Sequence, residues 1–221
     1  MVDISTHINF ARSVISKSKI KYDITSYVLG TIAPDAVNNP TNDSTYRLSH
    51  FIVDETNPDL TFFLETTRSL RDKSNISECS FIDGYYAHLL LDKYMRNYGE
   101  DIRLIDQLNL EPKQIKTHFK QNVRHYNLVA IKDFVTEVRT PMLKMREIPG
   151  LDFISINAVI TLWNQFVESF KKFNEAEAMT VIITKEQYDR FLEQTAVEFV
   201  KTYKAISKAP IDWVVPNYCR M

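Results

Sequence analysis

The chain has 221 residues, enough to bury most of the surface its unfolded form exposes. Its 27 Lys and Arg nearly balance 28 Asp and Glu, for a formal net charge of −1, which argues against stable nucleic-acid binding. Only four glycines speak against a turn-rich β architecture, and no apolar run approaches the ~20 residues that span a bilayer.

Residues 5–19 have the spacing of an amphipathic helix, with Ile8, Ala11, Val14 and Ile15 as its apolar stripe and Ser5 or Thr6 as cap. A second apolar helix is expected over 22–33, ended by Pro34, with Asp35 on its exit. Residues 36–46 are rich in Asn, Asp, Ser and Thr and read as a polar loop. The next stretch, 47–52, gives no clear assignment. Asn57 and Pro58 open a further helix with apolar positions Leu60, Phe63, Leu64 and Leu70.

The stretch 77–98 predicts a helix that carries Gly84, His88 and Asp92 one turn apart on one face. A glycine inside a helix costs roughly 1 kcal/mol relative to alanine, and close approach of another backbone would account for it. A carboxylate set among Leu89, Leu90, Leu91 and Met95 needs a cation or several hydrogen bonds. Residues 111–145 predict a long helix that starts near Pro112 and kinks at Pro141. Residues 152–174 are again helical in period. Met179 to Thr184 is the one strand-like run, and Thr184 with Gln187 resembles a capping box that opens a last helix to about Ile206. The tail from Pro210, with Trp213, is expected to pack back on the body. Together these elements predict an all-α fold in one domain, 1–221, with seven or eight helices. Cys79 and Cys219 form no metal-ligand spacing or disulfide framework and read as reduced thiols. With no leader-like N-terminus, a cytoplasmic protein is expected.

Taken singly, each histidine has a plain explanation: a capping or surface residue at His7, a loop residue at His50, a hydrogen-bonded pair at His88 and Asp92. Their order along the chain is more specific. His7 near the start of a helix is followed by Gly30-x-x-x-Pro34-Asp35, then Ser49-His50, then Gly84-x-x-x-His88-x-x-x-Asp92. This order resembles the zinc-dependent phospholipase C family, which is related to the single-strand-specific zinc nucleases. The resemblance covers roughly residues 5–98, a metal-site half followed by a helical remainder.

The resemblance implies that Asp35, His50, His88 and Asp92 form a first zinc set. It implies that His7 ligates a neighbouring second ion, with Asp92 bridging the two. Two imidazoles and two carboxylates neutralise one Zn²⁺, and their N and O donors suit zinc, though other divalent metals are open. The implied activity is hydrolysis of a small-molecule or lipid phosphoester by a metal-bound hydroxide, with Asp35 as candidate catalytic base. The pattern departs in two places. Residue 1 is methionine where the extracellular enzymes have a ligating tryptophan, and no histidine follows Asp92 over 93–99, so one or two ions are implied.

His118 and His125 are secondary candidates; they share a helix with Lys113, Lys116, Lys120 and Arg124, for which a solvated basic face is the simpler account. Arg47 is a candidate phosphate contact, and Tyr46, Tyr85 and Tyr86 are candidate pocket residues or plain core. An HD-type phosphohydrolase would require an adjacent His-Asp pair, and the sequence contains none. The alternative from another class is a non-catalytic helical binding protein whose basic helix face meets an acidic partner.

Overall fold

The computed structural model describes residues 3–18, 20–37, 43–53, 57–71, 74–101, 111–138, 151–176 and 179–206. Among these the protein is all-helical, with ten helices and no strand. They are α1 (Ile4–Lys17), α2 (Ile24–Gly30), α3 (Ala33–Ala36), α4 (Asp43–Ser49), α5 (Leu60–Arg71), α6 (Ile76–Asp101), α7 (Pro112–Ala130), α8 (Lys132–Glu137), α9 (Ile156–Phe170) and α10 (Lys185–Ile206). No helix of the described residues is long and apolar enough to cross a membrane.

Caps set most of the boundaries. The α1 N-cap is Asp3, whose carboxylate accepts from Ser5 N at 2.9 Å, not Ser5 or Thr6. Asp23 caps α2 through Ser26 N. Asp59 accepts from Phe62 N and starts α5 at Leu60, so Pro58 precedes the helix. Asn75 and Glu78 exchange side chain–backbone bonds at the start of α6, and Thr184 and Gln187 do the same at α10, as the sequence indicates.

Three further expectations are corrected. Pro34 does not follow α2 but opens α3, where a missing N–H costs nothing. The polar run before Tyr46 is already helical from Asp43. The long helix breaks at Ile131, before Pro141, which lies outside the described residues together with Trp213 and Cys219. The strand-like run 179–184, too short to set against the all-α reading, is irregular. Its backbone is met by one side chain: Asn122 donates to Thr180 O at 2.8 Å and accepts from Ile182 N at 2.8 Å.

The core is built around α6. α2 and α5 pack on it, and α1 lies across it and is also held by α7 and α10. The α2–α6 crossing is as close as backbones allow. A Cβ added at Gly84 would sit 2.0 Å from the Tyr27 carbonyl oxygen, and one at Gly30 would sit 2.1 Å from that of Phe81. Gly84 therefore has the reason its helical position demanded. One turn beyond this contact on each helix stand Thr31 and His88, so the crossing sets the distance between them.

Candidate metal centre

Five side chains from distant parts of the chain meet where α1, α3, the end of α4 and α6 converge: His7, Asp35, His50, His88 and Asp92. The three histidines are at most 1% exposed, and the two carboxylates retain about a tenth of their surface, 11% for Asp35 and 10% for Asp92. The donors form two overlapping triads, His7–His88–Asp92 and Asp35–His50–His88, with the atoms of each within 4.8 Å of one another.

The tautomer of His88 follows from its partner. Its Nδ1 lies 2.8 Å from the Thr31 carbonyl oxygen, which only accepts, so Nδ1 carries the hydrogen and the neutral ring turns a bare Nε2 lone pair inward. His50 Nδ1 lies 3.0 Å from the Ser49 hydroxyl, which can donate or accept, and 3.1 Å from the Tyr46 carbonyl oxygen. The two Nε2 atoms are 3.2 Å apart, a separation that takes a proton or a cation between them. Asp35 Oδ1 is 3.5 Å from His50 Nε2; Asp92 Oδ2 is 3.6 Å from His88 Nε2 and 3.8 Å from His50 Nε2. Ligands of a tetrahedral Zn²⁺ bound at 2.0–2.2 Å stand about 3.3–3.6 Å from each other. The two Nε2 atoms and Asp35 Oδ1 approach that spacing, and Asp92 Oδ2 lies 3.6 and 3.8 Å from the same two imidazoles.

The remaining carboxylate oxygen, Asp92 Oδ1, faces away from this set, 3.5 Å from His7 Nε2. Asp92 thus presents one oxygen to each triad. Four of the buried atoms here, His7 Nδ1 and Nε2, Asp35 Oδ1 and Asp92 Oδ1, have no hydrogen-bond partner. Buried polar atoms normally have one, and a bound ion or ordered water would supply partners for several orphans in one place. The donor set and its unsatisfied atoms therefore fit a divalent metal.

Burial governs the charges. It drives the pKa of His7 well below the ordinary histidine value, aided by nearby His88, and lowers that of His88 against the pull of Asp92 and Asp35. Both rings are neutral at pH 7, the form that ligates metal. The carboxylates diverge. Burial pushes Asp35 up, but the imidazoles around it, His88 first and then His50, outweigh that to the extent that they carry protons and hold the carboxyl at about 2. At Asp92 burial outweighs the opposing pull of His88, and the pKa is raised. A dication would reverse this and keep Asp92 ionised.

His50 is aimed by a strained turn. Phe51, at the exit of α4, has φ of 52°, the left-handed region where glycine is usual. Phe51 N donates to Leu48 O and Ile52 N to Arg47 O, the bond pair of a Schellman motif. A non-glycine residue there costs on the order of 1–2 kcal/mol. It is held by its ring, which packs edge-on among Phe62, Phe63, Tyr85 and Phe153. The Tyr85 hydroxyl donates to the Ser49 carbonyl and ties the same turn to α6. Tyr46 stacks obliquely on the His50 ring at 4.0 Å, whereas Tyr86 belongs to the core against Phe63 and Phe199.

The other candidates lie elsewhere. Arg47 donates to Val53 O at 2.8 Å. His118 contacts Gln121, and His125 packs against Phe173; neither belongs to the metal-capable groups. The orienting groups Thr31, Ser49 and Phe51 had no sequence signal, since two act through backbone carbonyls and the third occupies a position where glycine is expected. No family model, curated protein or solved structure matches the chain.

Proposed function

We propose that the protein is a metal-dependent hydrolase of a phosphoester, with one or two zinc ions held by Asp35, His50, His88 and Asp92 and by His7 together with Asp92. The observation that carries this reading is the facing pair of Nε2 atoms on His50 and His88, 3.2 Å apart and flanked by carboxylates with unsatisfied oxygens. When bound, zinc supplies Lewis acidity: it polarises a phosphoryl oxygen and makes water a nucleophile at neutral pH. The chain's own residues orient and shield that ion. Thr31 locks His88 in the ligating tautomer, Ser49 and Tyr46 orient the His50 ring, and the surrounding core keeps the field strong by excluding water. Asp35, held at about 2, is suited to ligation and is a weak proton acceptor at neutral pH. The partly exposed edges of Asp35 and Asp92 are where a phosphoester would reach the centre.

The near-complete burial of the three histidines favours a second reading, a closed structural ion that pins four helices without turnover. Elemental analysis of tag-free protein beside Asp92→Ala tests both. One or two equivalents of zinc are expected in the wild type and none in a folded variant, with hydrolysis of a chromogenic phosphodiester that stops on chelation and returns with zinc. Bound zinc without turnover would select the structural reading. No metal in the wild type would end both.

A further inference from the structure

His7 lacks the anchoring of the other two histidines. His88 donates Nδ1–H to the Thr31 carbonyl and His50 Nδ1 is held by Ser49 and Tyr46, but neither ring nitrogen of His7 has a hydrogen-bond partner. Its ring stacks on His88 with centroids 3.8 Å apart and planes within 10°. The rest of its placement comes from the α1 backbone on either side, and that backbone is gripped by a polar knot. Asn127 of α7 donates from Nδ2 to Thr6 Oγ1 at 2.8 Å. Its Oδ1 accepts from Asn9 Nδ2 at 2.8 Å and from the Tyr188 hydroxyl of α10 at 2.9 Å.

The direction of every bond follows from one end. The Arg12 guanidinium, which can only donate, lies 3.0 and 3.1 Å from Asn9 Oδ1. This turns the Asn9 amide nitrogen to Asn127, and the Asn127 nitrogen to Thr6. Thr6, Asn9, Asn127 and Tyr188 are all at most 1% exposed. A buried network whose members all have partners holds one geometry, because any rotation orphans several groups at once.

We infer that Asn127 is a positioning residue for His7: it clamps the residues on either side of that histidine and so sets the ring against His88 and Asp92. The consequence for metal rests on the zinc reading above. The test is a double-mutant cycle on zinc affinity, measured with chelator-buffered zinc. Asn127→Ala is expected to weaken binding about 10–100-fold, the range for groups that orient ligands. His7→Ala should weaken it as much, and the double variant no further, because both remove the same arm. Additive losses would overturn the inference. Thr6→Val keeps the side-chain shape and removes one acceptor; it should give a smaller loss in the same direction, and it replaces Asn127→Ala if that variant does not fold.

A second readout uses metal-free protein: nuclear Overhauser contacts between the His7 and His88 rings. They are expected in the wild type and should weaken or vanish in Asn127→Ala or Thr6→Val; unchanged contacts would overturn the inference. A wild type that takes up no zinc would end the hydrolase reading and leave the ring contacts to decide on Asn127.

Discussion

At the scale of single residues, the centre concentrates neutral imidazole in a buried place. His7 and His88 have folded pKa values below the ordinary 6.5. In the unfolded chain they titrate near that value. As pH falls through about 6.5, the unfolded state therefore takes up protons that the native state refuses, and stability falls with pH. Asp92, whose pKa is raised, works in the opposite sense, and Asp35, held at about 2, is lost only in strong acid. The histidine effect opens first. Chelator-treated protein is expected to unfold at lower denaturant between pH 7 and 5.5, and His7→Gln should flatten that slope. A midpoint independent of pH over this range would show that the two rings are not buried neutral.

At the scale of elements, the α2–α6 crossing decides where His88 finds its carbonyl. Gly84→Ala would drive a Cβ into the Tyr27 carbonyl, and backbone cannot swing aside as a side-chain tip can. Overpacking of this kind costs about 1–3 kcal/mol or more. A loss at the upper end of that range is expected, read as a fall in denaturant midpoint, together with weaker metal binding as Thr31 O moves off His88. An alanine tolerated without change would mean that the helices do not touch there. This crossing was legible in the sequence because an interior glycine needs a neighbour, and the His88–Asp92 pair was legible because helical spacing is local. The start of α4 was not: Asp43, Ser44 and Thr45 favour turns by composition, and only the completed helix reveals them as its first turn. Residues 179–184 carry β-branched side chains that favour a strand locally, but a run that short does not say whether a partner strand exists.

At the scale of the molecule, one centre joins α1, α3, α4 and α6, which no short-range pattern connects. The order of the histidines and carboxylates suggested a shared site, but nothing in the sequence revealed the knot on Asn127. Amide pairs have no period, and Asn9 and Asn127 are 118 positions apart. An ion that binds only the folded arrangement stabilises it by mass action, about 2.7 kcal/mol at a free concentration 100 times Kd. For a chain of this length that corresponds to a rise in Tm of roughly 5–10 °C. The rise is expected on adding zinc to chelator-treated protein and should be absent in Asp92→Ala. Equal melting with and without zinc would remove the ion from the account of the fold.

The grip on α1 also carries a calendar. A chain made from its N-terminus has all five donors in hand once Asp92 is synthesised, but Tyr188, the last member of the knot, follows 96 positions later. His88 and Asp92 share α6, whereas the α1 backbone that carries His7 is gripped through α7 and α10. On the zinc reading, the His7 arm would therefore close only once synthesis has passed Tyr188.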